Sequence, residues 1–354
     1  MKIDALHVRI QHLERRDRQW RTSSYASSQV VGVYVGVEAG GAVGIGATAA
    51  HPRSMPSDVL VEAITQRVQP ALAGVPISKA WAALGGLGGL PPRARIAADL
   101  ALHDLFGKLA GVPAEVLWGG PVRDRVKVVR AVGLKEPREV CESVQVLYDQ
   151  GLRGFKLKIG RGLGPDVDTV RRVRERFGDD VTITVDANAS YDLAGARELC
   201  TALTDLKVYC VEQPLPYHDI DAMAALRSTS GVPLMADQLV QSAADAVRVA
   251  RSGAADLVSL KLTKMGSVME CVKTIDVCSA VGLRVHLGGS GAPGIVDSAL
   301  TRLALVRADV EPIAEVGESA SLISDHTAGV VFEGPWATSD GLPGLGGAPV
   351  DFST

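Results

Sequence analysis

The chain contains no CxxC pair, no long run of like charge and no apolar stretch of membrane-spanning length. Its five cysteines (Cys141, Cys200, Cys210, Cys271, Cys278) are an odd number without metal-ligand spacing. They read as reduced, mostly buried thiols of a cytosolic protein. Lys and Arg total 37 against 40 Asp and Glu, a net charge of −3. A nucleic-acid binder carries a basic face or stripe, so no nucleic-acid partner is expected. Residues 1–21 are charged throughout, unlike a signal peptide, and no membrane association is expected. Nucleotide loops are missing too. GGLGGL at 85–90 lacks the GxGxxG spacing and follows no strand, and no GxxxxGK[ST] occurs.

What is present fills a larger fold. A length of 354 residues, 47% of them hydrophobic, suits a barrel of about 250 residues plus about 100 more. In the first third, residues 3–10, the run VVGVYVGV at 30–37 and the glycine-rich segment after it suggest a small antiparallel sheet. A helix is expected over 58–68, a glycine- and proline-rich break over 82–92, and a helix over 93–110. The last keeps Ile96, Leu100, Leu105, Phe106 and Leu109 on one broad apolar face, and Gly111 and Pro113 end it. From residue 126 strands and helices alternate. The expected strands are 126–132, 154–159, 181–185, 208–211, 233–235, 257–260, 283–287 and 312–316. Helical segments include 139–149, 166–177, 193–203, 243–252, 268–280 and 295–306. Eight short apolar strands alternating with helices indicate parallel pairing and a closed barrel. The turn-rich tail from Pro335 is expected to pack back on the N-terminal part.

Five residues that each end an apolar run recur at nearly even intervals. Lys158, Asp186, Glu212, Asp237 and Lys261 are spaced 28, 26, 25 and 24 residues apart, about one strand-plus-helix unit of roughly 30 residues. That spacing places all five on the carboxyl-end rim of the barrel, where catalytic groups sit. Lys156 and Lys158 (FKLKIG) share one strand face, inside a strand that should be continuously apolar. A close second ammonium lowers a lysine's pKa, which would let Lys158 act as a base while Lys156 stays charged and attracts a substrate oxygen. Each strand-end carboxylate alone reads as a helix N-cap, but three consecutive strands ending alike do not. An all-oxygen set selects a hard cation, Mg²⁺ with Mn²⁺ as the alternative. The metal would polarise a substrate carboxylate and stabilise the dianion formed when the α-proton leaves. Asn188 and Gln213 are expected to support the ligands as donors.

Lys261 (SLKLTKMGS) lies across the mouth from Lys158, as a racemase or epimerase requires: one base removes the proton, the other returns it from the opposite face. Lys264 reads as a solvated loop lysine. His286 (RVHLGGSG) ends the seventh strand, as a third acid/base, a substrate hydrogen bond or a structural histidine. Gly288, Gly289 and Gly291 would let backbone approach a ligand closely. Glu315 and Glu318 (PIAEVGES) are either surface carboxylates or receivers of a cationic substrate group.

With FKLKIG, TVDAN, VEQPL, MADQ, SLKLTKMGS and the passage RIAADLALHDLFGKLAGVPAEVLWGG, the chain resembles the enolase superfamily over essentially its full length. Within it the resemblance is to the muconate lactonizing enzyme subgroup, which overlaps the mandelate racemase family. The resemblance implies a modified TIM barrel of (β/α)7β type, residues 121–319, under an N-terminal α+β capping domain, residues 1–120 completed by 320–354. It implies Asp186, Glu212 and Asp237 as Mg²⁺ ligands, Lys158 and Lys261 as the acid/base pair supported by Lys156, and a homo-oligomer, dimer or octamer. Lys bases with Mg²⁺ are the superfamily's known pattern. Gln238 stands where many members carry glutamate, removing a carboxylate that could hold the Lys261 ammonium. The loop VHLGGSG lacks the methionine- and glutamate-containing sequence of the muconate and succinylamino-acid branches, and no DxD ends the eighth strand. In the superfamily, capping loops choose the substrate. Here these are residues 18–25 and 47–55, where Arg18, Arg21 or Arg53 could hold a distal carboxylate and Tyr25 or His51 a hydroxyl.

The expectation is a cytoplasmic Mg²⁺-dependent enzyme that takes the α-proton from a small carboxylate to give an enediolate, with racemisation or epimerisation as the leading outcome. Cycloisomerisation and dehydration are the alternatives within the superfamily. A metal- and ligand-binding barrel without turnover is the alternative outside it.

Overall fold

The computed structural model of the protein describes residues 1–323 and 325–353; residues 324 and 354, both within the expected cap-completing tail, lie outside the described residues. Strands β1 (Ala5–Glu14), β2 (Gln29–Ala39) and β3 (Ala42–Ala49) pair antiparallel in that order. Val33, Val35 and Val37 of β2 are buried with Leu60, Ile64 and Val68 of the helical run 57–72 and with the alanine-rich side of the helix Pro92–Ala110. Glycine permits that helix to lie directly on the sheet. A Cβ at Gly44 or Gly46 of β3 would collide with the carbonyl oxygens of Ala101 or Ala97.

A one-sided apolar face is the expectation for Pro92–Ala110, but Asp99, His103 and Asp104 on its polar side are buried as well. The reason is that the helix lies between the sheet and the barrel. Asp104 accepts the N–H groups of Ile45 and Leu345, each at 2.7 Å. Asp99 accepts the Val268 N–H at 2.8 Å and Trp81 Nε1 at 3.1 Å. The expected break over 82–92 is shorter in the structure, because Ala80–Gly85 is helical.

The second sheet curls into the barrel. Its strands are β4 (Val126–Val128), β5 (Arg130–Val132), β6 (Gly154–Lys158), β7 (Thr182–Asp186), β8 (Cys210–Glu212), β9 (Leu234–Ala236), β10 (Leu257–Leu260), β11 (Arg284–Leu287) and β12 (Val310–Ala314). Neighbours from β5 to β12 pair in parallel, and β12 pairs in parallel with β4. Only Val129 separates β4 from β5, and its N–H donates to Ala314 O at 2.8 Å. The two segments are therefore one broken strand that closes an eight-stranded barrel. Return helices cover the outside, among them Pro137–Asp149, Leu163–Phe177, Ile220–Arg227 and Gly294–Val306. Several start on side-chain caps: Asp192, Asp219, Ser242 and Ser267 each accept an N–H of the first turn.

After β12, among the described residues, only a short 3₁₀ turn, Glu318–Ser321, precedes the hairpin β13 (Val330–Glu333) and β14 (Trp336–Ser339). β14 pairs antiparallel with β4, so the tail joins the barrel sheet as well as the N-terminal one, where Phe352 lies 5.7 Å from the ring of His7. The eighth strand runs two residues earlier than expected. All five cysteines are buried and unpaired, and no described helix is long and apolar enough to cross a membrane.

Candidate active site

Parallel register sets Lys158, Asp186 and Glu212 side by side at the carboxyl ends of β6, β7 and β8, with Met235 next in the row. Asp237 follows one residue after β9, and Lys261 directly after β10. Asp186 and Glu212 are 0% exposed, and Lys156, Lys158 and Asp237 are buried beside them. Lys158 Nζ lies 2.5 Å from Asp186 Oδ2. Lys156 Nζ lies 2.6 Å from Glu212, 2.7 Å from Glu315 and 3.3 Å from Asp186. Lys261 Nζ lies 2.7 Å from Asp237 Oδ2 and 3.9 Å from Glu212.

The charges shape one another. Burial works against the Lys156 ammonium, but Glu212, Glu315 and Asp186 outweigh it and raise its pKa well above the usual lysine range. Burial likewise opposes the Lys261 ammonium, and Asp237 prevails and raises it. Burial would raise Asp186 and Asp237, yet Lys158 and Lys156 hold the first below the usual carboxylate range, and Lys261 and Lys264 the second. Glu212 goes the other way. Burial, then the neighbouring Asp186, push it up, and neither of its oxygens receives a well-aligned hydrogen bond.

That carboxylate tests whether a metal fits. Among the described residues no three such side chains close to ligand spacing, and the ammonium groups lie between them. The donor set nevertheless suits a hard cation: three carboxylates with no nitrogen or sulfur, the central one buried and short of donors.

Several expected roles are corrected. Lys264 is not a solvated loop lysine. One helical turn, Leu262–Met265, carries it back over the rim, and its Nζ bonds Asp237 Oδ1 at 2.6 Å, Asp237 O at 2.7 Å and Ser259 O at 3.0 Å. Asn188 reaches Asp186 Oδ1 through its backbone N–H, at 2.9 Å, not through its side chain. Gln213, 0% exposed and at φ +38°, accepts the backbone N–H of Asp237 at 3.0 Å and donates to Leu215 O at 2.9 Å. It positions the loop and donates to no carboxylate. Gln238 Oε1 is buried without a partner, and Asp237 takes over the holding of Lys261. Glu315 is occupied by Lys156, by His286 Nε2 at 3.2 Å and by the Gly289 N–H at 3.3 Å, so it is not free for a cationic substrate group. Glu318 is taken by the Ala131 N–H at 3.1 Å. At Gly288 it is the barrel's own side chains that come close: a Cβ there would collide with Ser259 Oγ and lie 3.0 Å from Lys261 Cε.

The capping loops meet the rim. Ser23 Oγ donates to Ala187 O at 3.3 Å, beside Asp186. The Tyr25 ring packs 5.1 Å from His51 and 5.5 Å from Trp20. Arg21 Nε donates to Leu134 O at 2.9 Å, Arg53 to Ser24 O at 2.9 Å, and Arg18 pairs with Glu14 at 2.7 Å in solvent. Arg93, which no motif signals, lies close enough to Tyr25 and His51 for their charges to interact, and donates to Ala49 O at 2.8 Å.

The family described as Enolase C-terminal domain-like matches residues 139–349. The chain belongs to it, and so to the enolase superfamily. N-succinyl-L-Arg/Lys racemase of Bacillus cereus is 28% identical over 256 residues, 72% of this chain and 69% of that one. Muconate cycloisomerase 1 of Rhodococcus opacus is 34% identical over 209 residues, 58% of this chain and 56% of that one. The dipeptide epimerase structure from Cytophaga hutchinsonii, complexed with Mg and D-Ala-L-Val, overlays with a TM-score of 0.92 at 21% identity, covering 98% of this chain and 96% of that one. At that identity the likeness is one of fold. The protein is an enolase-superfamily enzyme whose relatives are isomerases.

Proposed function

We propose that the protein is a racemase or epimerase that removes and returns the α-proton of a small carboxylate, with Lys158 and Lys261 as the two proton carriers. The observation that carries this reading is the order of groups across five strands: lysine, carboxylate, carboxylate, carboxylate, lysine, with Lys158 against Asp186 and Lys261 against Asp237. A substrate α-carbon seated above Glu212 has a lysine nitrogen on each side. As a free amine, one lysine takes the proton while the other, as ammonium, delivers its own to the opposite face. Lys156, ion-paired and charged, stays out of the transfer and keeps positive charge beneath the substrate carboxylate. Lys264 shares Asp237 with Lys261 and holds that carboxylate in place as the Lys261 charge comes and goes. Asp186, Glu212 and Asp237 would hold Mg²⁺, which when bound supplies positive charge to the substrate carboxylate and so stabilises the enediolate. The loops of Tyr25 and His51 close the mouth and choose the substrate, and residues 1–120 form the cap, which the end of the tail joins at Phe352 while the hairpin β13–β14 stays with the barrel sheet.

A second reading, cycloisomerisation, draws support from the 34% identity to the Rhodococcus opacus cycloisomerase. It delivers a proton to one face only and so needs one carrier. The test is NMR in D₂O with Mg²⁺ and a panel of α-hydroxy, α-amino, N-acylamino and cyclic-imino carboxylates. Loss of an α-proton signal that requires the metal and, for one enantiomer, Lys158 supports the proposal; exchange of both enantiomers that survives at the parent rate in Lys158→Ala contradicts it.

A further inference from the structure

Arg130 is a largely buried arginine with no hydrogen-bond or ion-pair partner among the described residues. On β5, Ala131 stands opposite Lys156 and Arg130 opposite Phe155. Lys156 reaches the carboxylates inside the barrel, so Ala131 faces inward with it, while Arg130 and Val132 face the outer wall. Arg130 is 7% exposed. No ion pair among the described residues includes it, and its Nε is buried without a hydrogen bond. Arg302 shows the ordinary arrangement: fully buried, it pairs with Glu115 at 2.8 Å and Asp340 at 2.6 Å. A buried charge left unpaired is costly, so an arginine in this position calls for an anion.

Arg130 lines a cavity of about 570 Å³ between β5, the helix Pro137–Asp149 and the hairpin β13–β14. Val132, Val146, Leu147, Leu152 and Phe332 form its apolar wall. None of the other charges around it comes within ion-pair distance of Arg130 among the described residues, and most have contacts of their own. Lys135 is matched by Asp17 at 2.9 Å. Glu318 accepts the Ala131 N–H and its charge acts on Arg15. Asp297, whose charge interacts with that of Arg130, accepts the Ser319 N–H at 2.6 Å. Arg16 donates to Ala320 O at 3.2 Å at the rim. Gly317, at φ +78°, leaves bare backbone where Phe332 and Arg130 come together; a Cβ there would lie 3.2 Å from Arg130 Nη2.

The geometry points to a second binding site, on the outer wall of the barrel, for a small organic carboxylate with an apolar body. Its carboxylate takes the fork of Arg130 and its body fills the Val132–Leu147–Phe332 wall. The volume lies within the range of small-molecule pockets, about 300–1,000 Å³. None of the five rim residues Lys158, Asp186, Glu212, Asp237 and Lys261 lines this cavity, so the site is independent of the proposed reaction. Trp20 lines it and packs on Tyr25, which places any occupant behind the first capping loop.

The test is calorimetric titration of the full-length protein with 4-fluorobenzoate and its neutral counterpart 4-fluorobenzamide. The acid is expected to bind at least tenfold tighter than the amide. Arg130→Met is expected to lower its affinity at least tenfold. Val146→Trp fills the cavity from a helix position that is 58% exposed; it should do the same with Arg130 intact, and it decides the matter if Arg130→Met fails to fold. Lys158→Ala is expected to leave this binding unchanged. Equal affinity for acid and amide, no binding of either, or binding lost in Lys158→Ala and kept in the other two variants overturns the proposal.

Discussion

The side-chain oxygen of Gln213 accepts the backbone N–H of Asp237 at 3.0 Å, so the third rim carboxylate is placed by a residue that follows the second. The same oxygen lies 3.4 Å from the Leu239 N–H. One amide therefore spans the loops after β8 and β9, and the left-handed backbone at Gln213 turns it into that position. Gln213→Leu keeps much of the volume and leaves both N–H groups without an acceptor. The expected cost in urea unfolding is about 1–3 kcal/mol. Mg²⁺ affinity should fall roughly 10–100-fold, as for other partners that orient metal ligands. Calorimetry that finds unchanged Mg²⁺ affinity would remove Gln213 from the account.

Glu212 behaves differently, because Lys156 Nζ lies 2.6 Å from it while neither of its oxygens receives a well-aligned hydrogen bond. Glu212→Gln removes a buried charge that Asp186 repels, while Lys156 keeps Glu315 at 2.7 Å. Without metal the variant should be as stable as the parent or more so. With saturating Mg²⁺ the parent should gain stability, by about 2.7 kcal/mol at a hundred times its Kd, and the variant should gain little. Thermal unfolding of both proteins with EDTA and with Mg²⁺ checks this, and an equal rise in both would contradict it.

The buried helix Pro92–Ala110 carries a pH-dependent element remote from the rim. Burial pushes the Asp99 carboxyl up to about 7, against the hydrogen bonds from Val268 and Trp81 and the charge of Arg95. His103 Nε2 lies 3.6 Å away, its pKa brought down to about 4 by burial. An unfolded aspartate titrates near 3.9. Between about pH 4 and 7 the folded chain keeps a proton on Asp99 that the unfolded chain has released, so this group lowers stability as pH rises through that window and not below it. Asp99→Asn abolishes the titration and should gain on the parent across the window, by at most about 1.4 kcal/mol per pH unit. Urea unfolding of both proteins between about pH 5 and 8 reads the difference, and a constant offset would contradict the assignment.

The rim was legible in the sequence because a parallel barrel repeats. Asp186, Glu212 and Asp237 each follow a short apolar run, and the even spacing from Lys158 to Lys261 survives without knowledge of a single contact. Contacts that depend on one turn of backbone were not legible. Lys264 reaches Asp237 only because Leu262–Met265 makes a single helical turn, and Gln213 reaches it only through a positive φ. Glu315 read as either a surface carboxylate or a receiver of a cationic substrate group because its ion pair with Lys156 spans 159 residues of sequence. The helix over 93–110 read as having one apolar face, and a single helical face does not tell that two domains enclose it and bury Asp99 and His103 as well. Arg130 carried a signal that went unused: a charged residue inside VKVVRAV breaks a buried strand just as Lys156 does in FKLK.

The most direct test of the two-lysine account is α-proton exchange in D₂O followed separately for each enantiomer of a turned-over substrate, in Lys158→Ala and in Lys261→Ala. General acid–base groups contribute about 10²–10⁴-fold. Each variant should therefore lose at least a hundredfold of its exchange with one enantiomer, keep exchange with the other, and interconvert neither. If both enantiomers exchange at the parent rate in either variant, or both stop exchanging in the same one while the other variant is unaffected, the lysines are not a pair working on opposite faces.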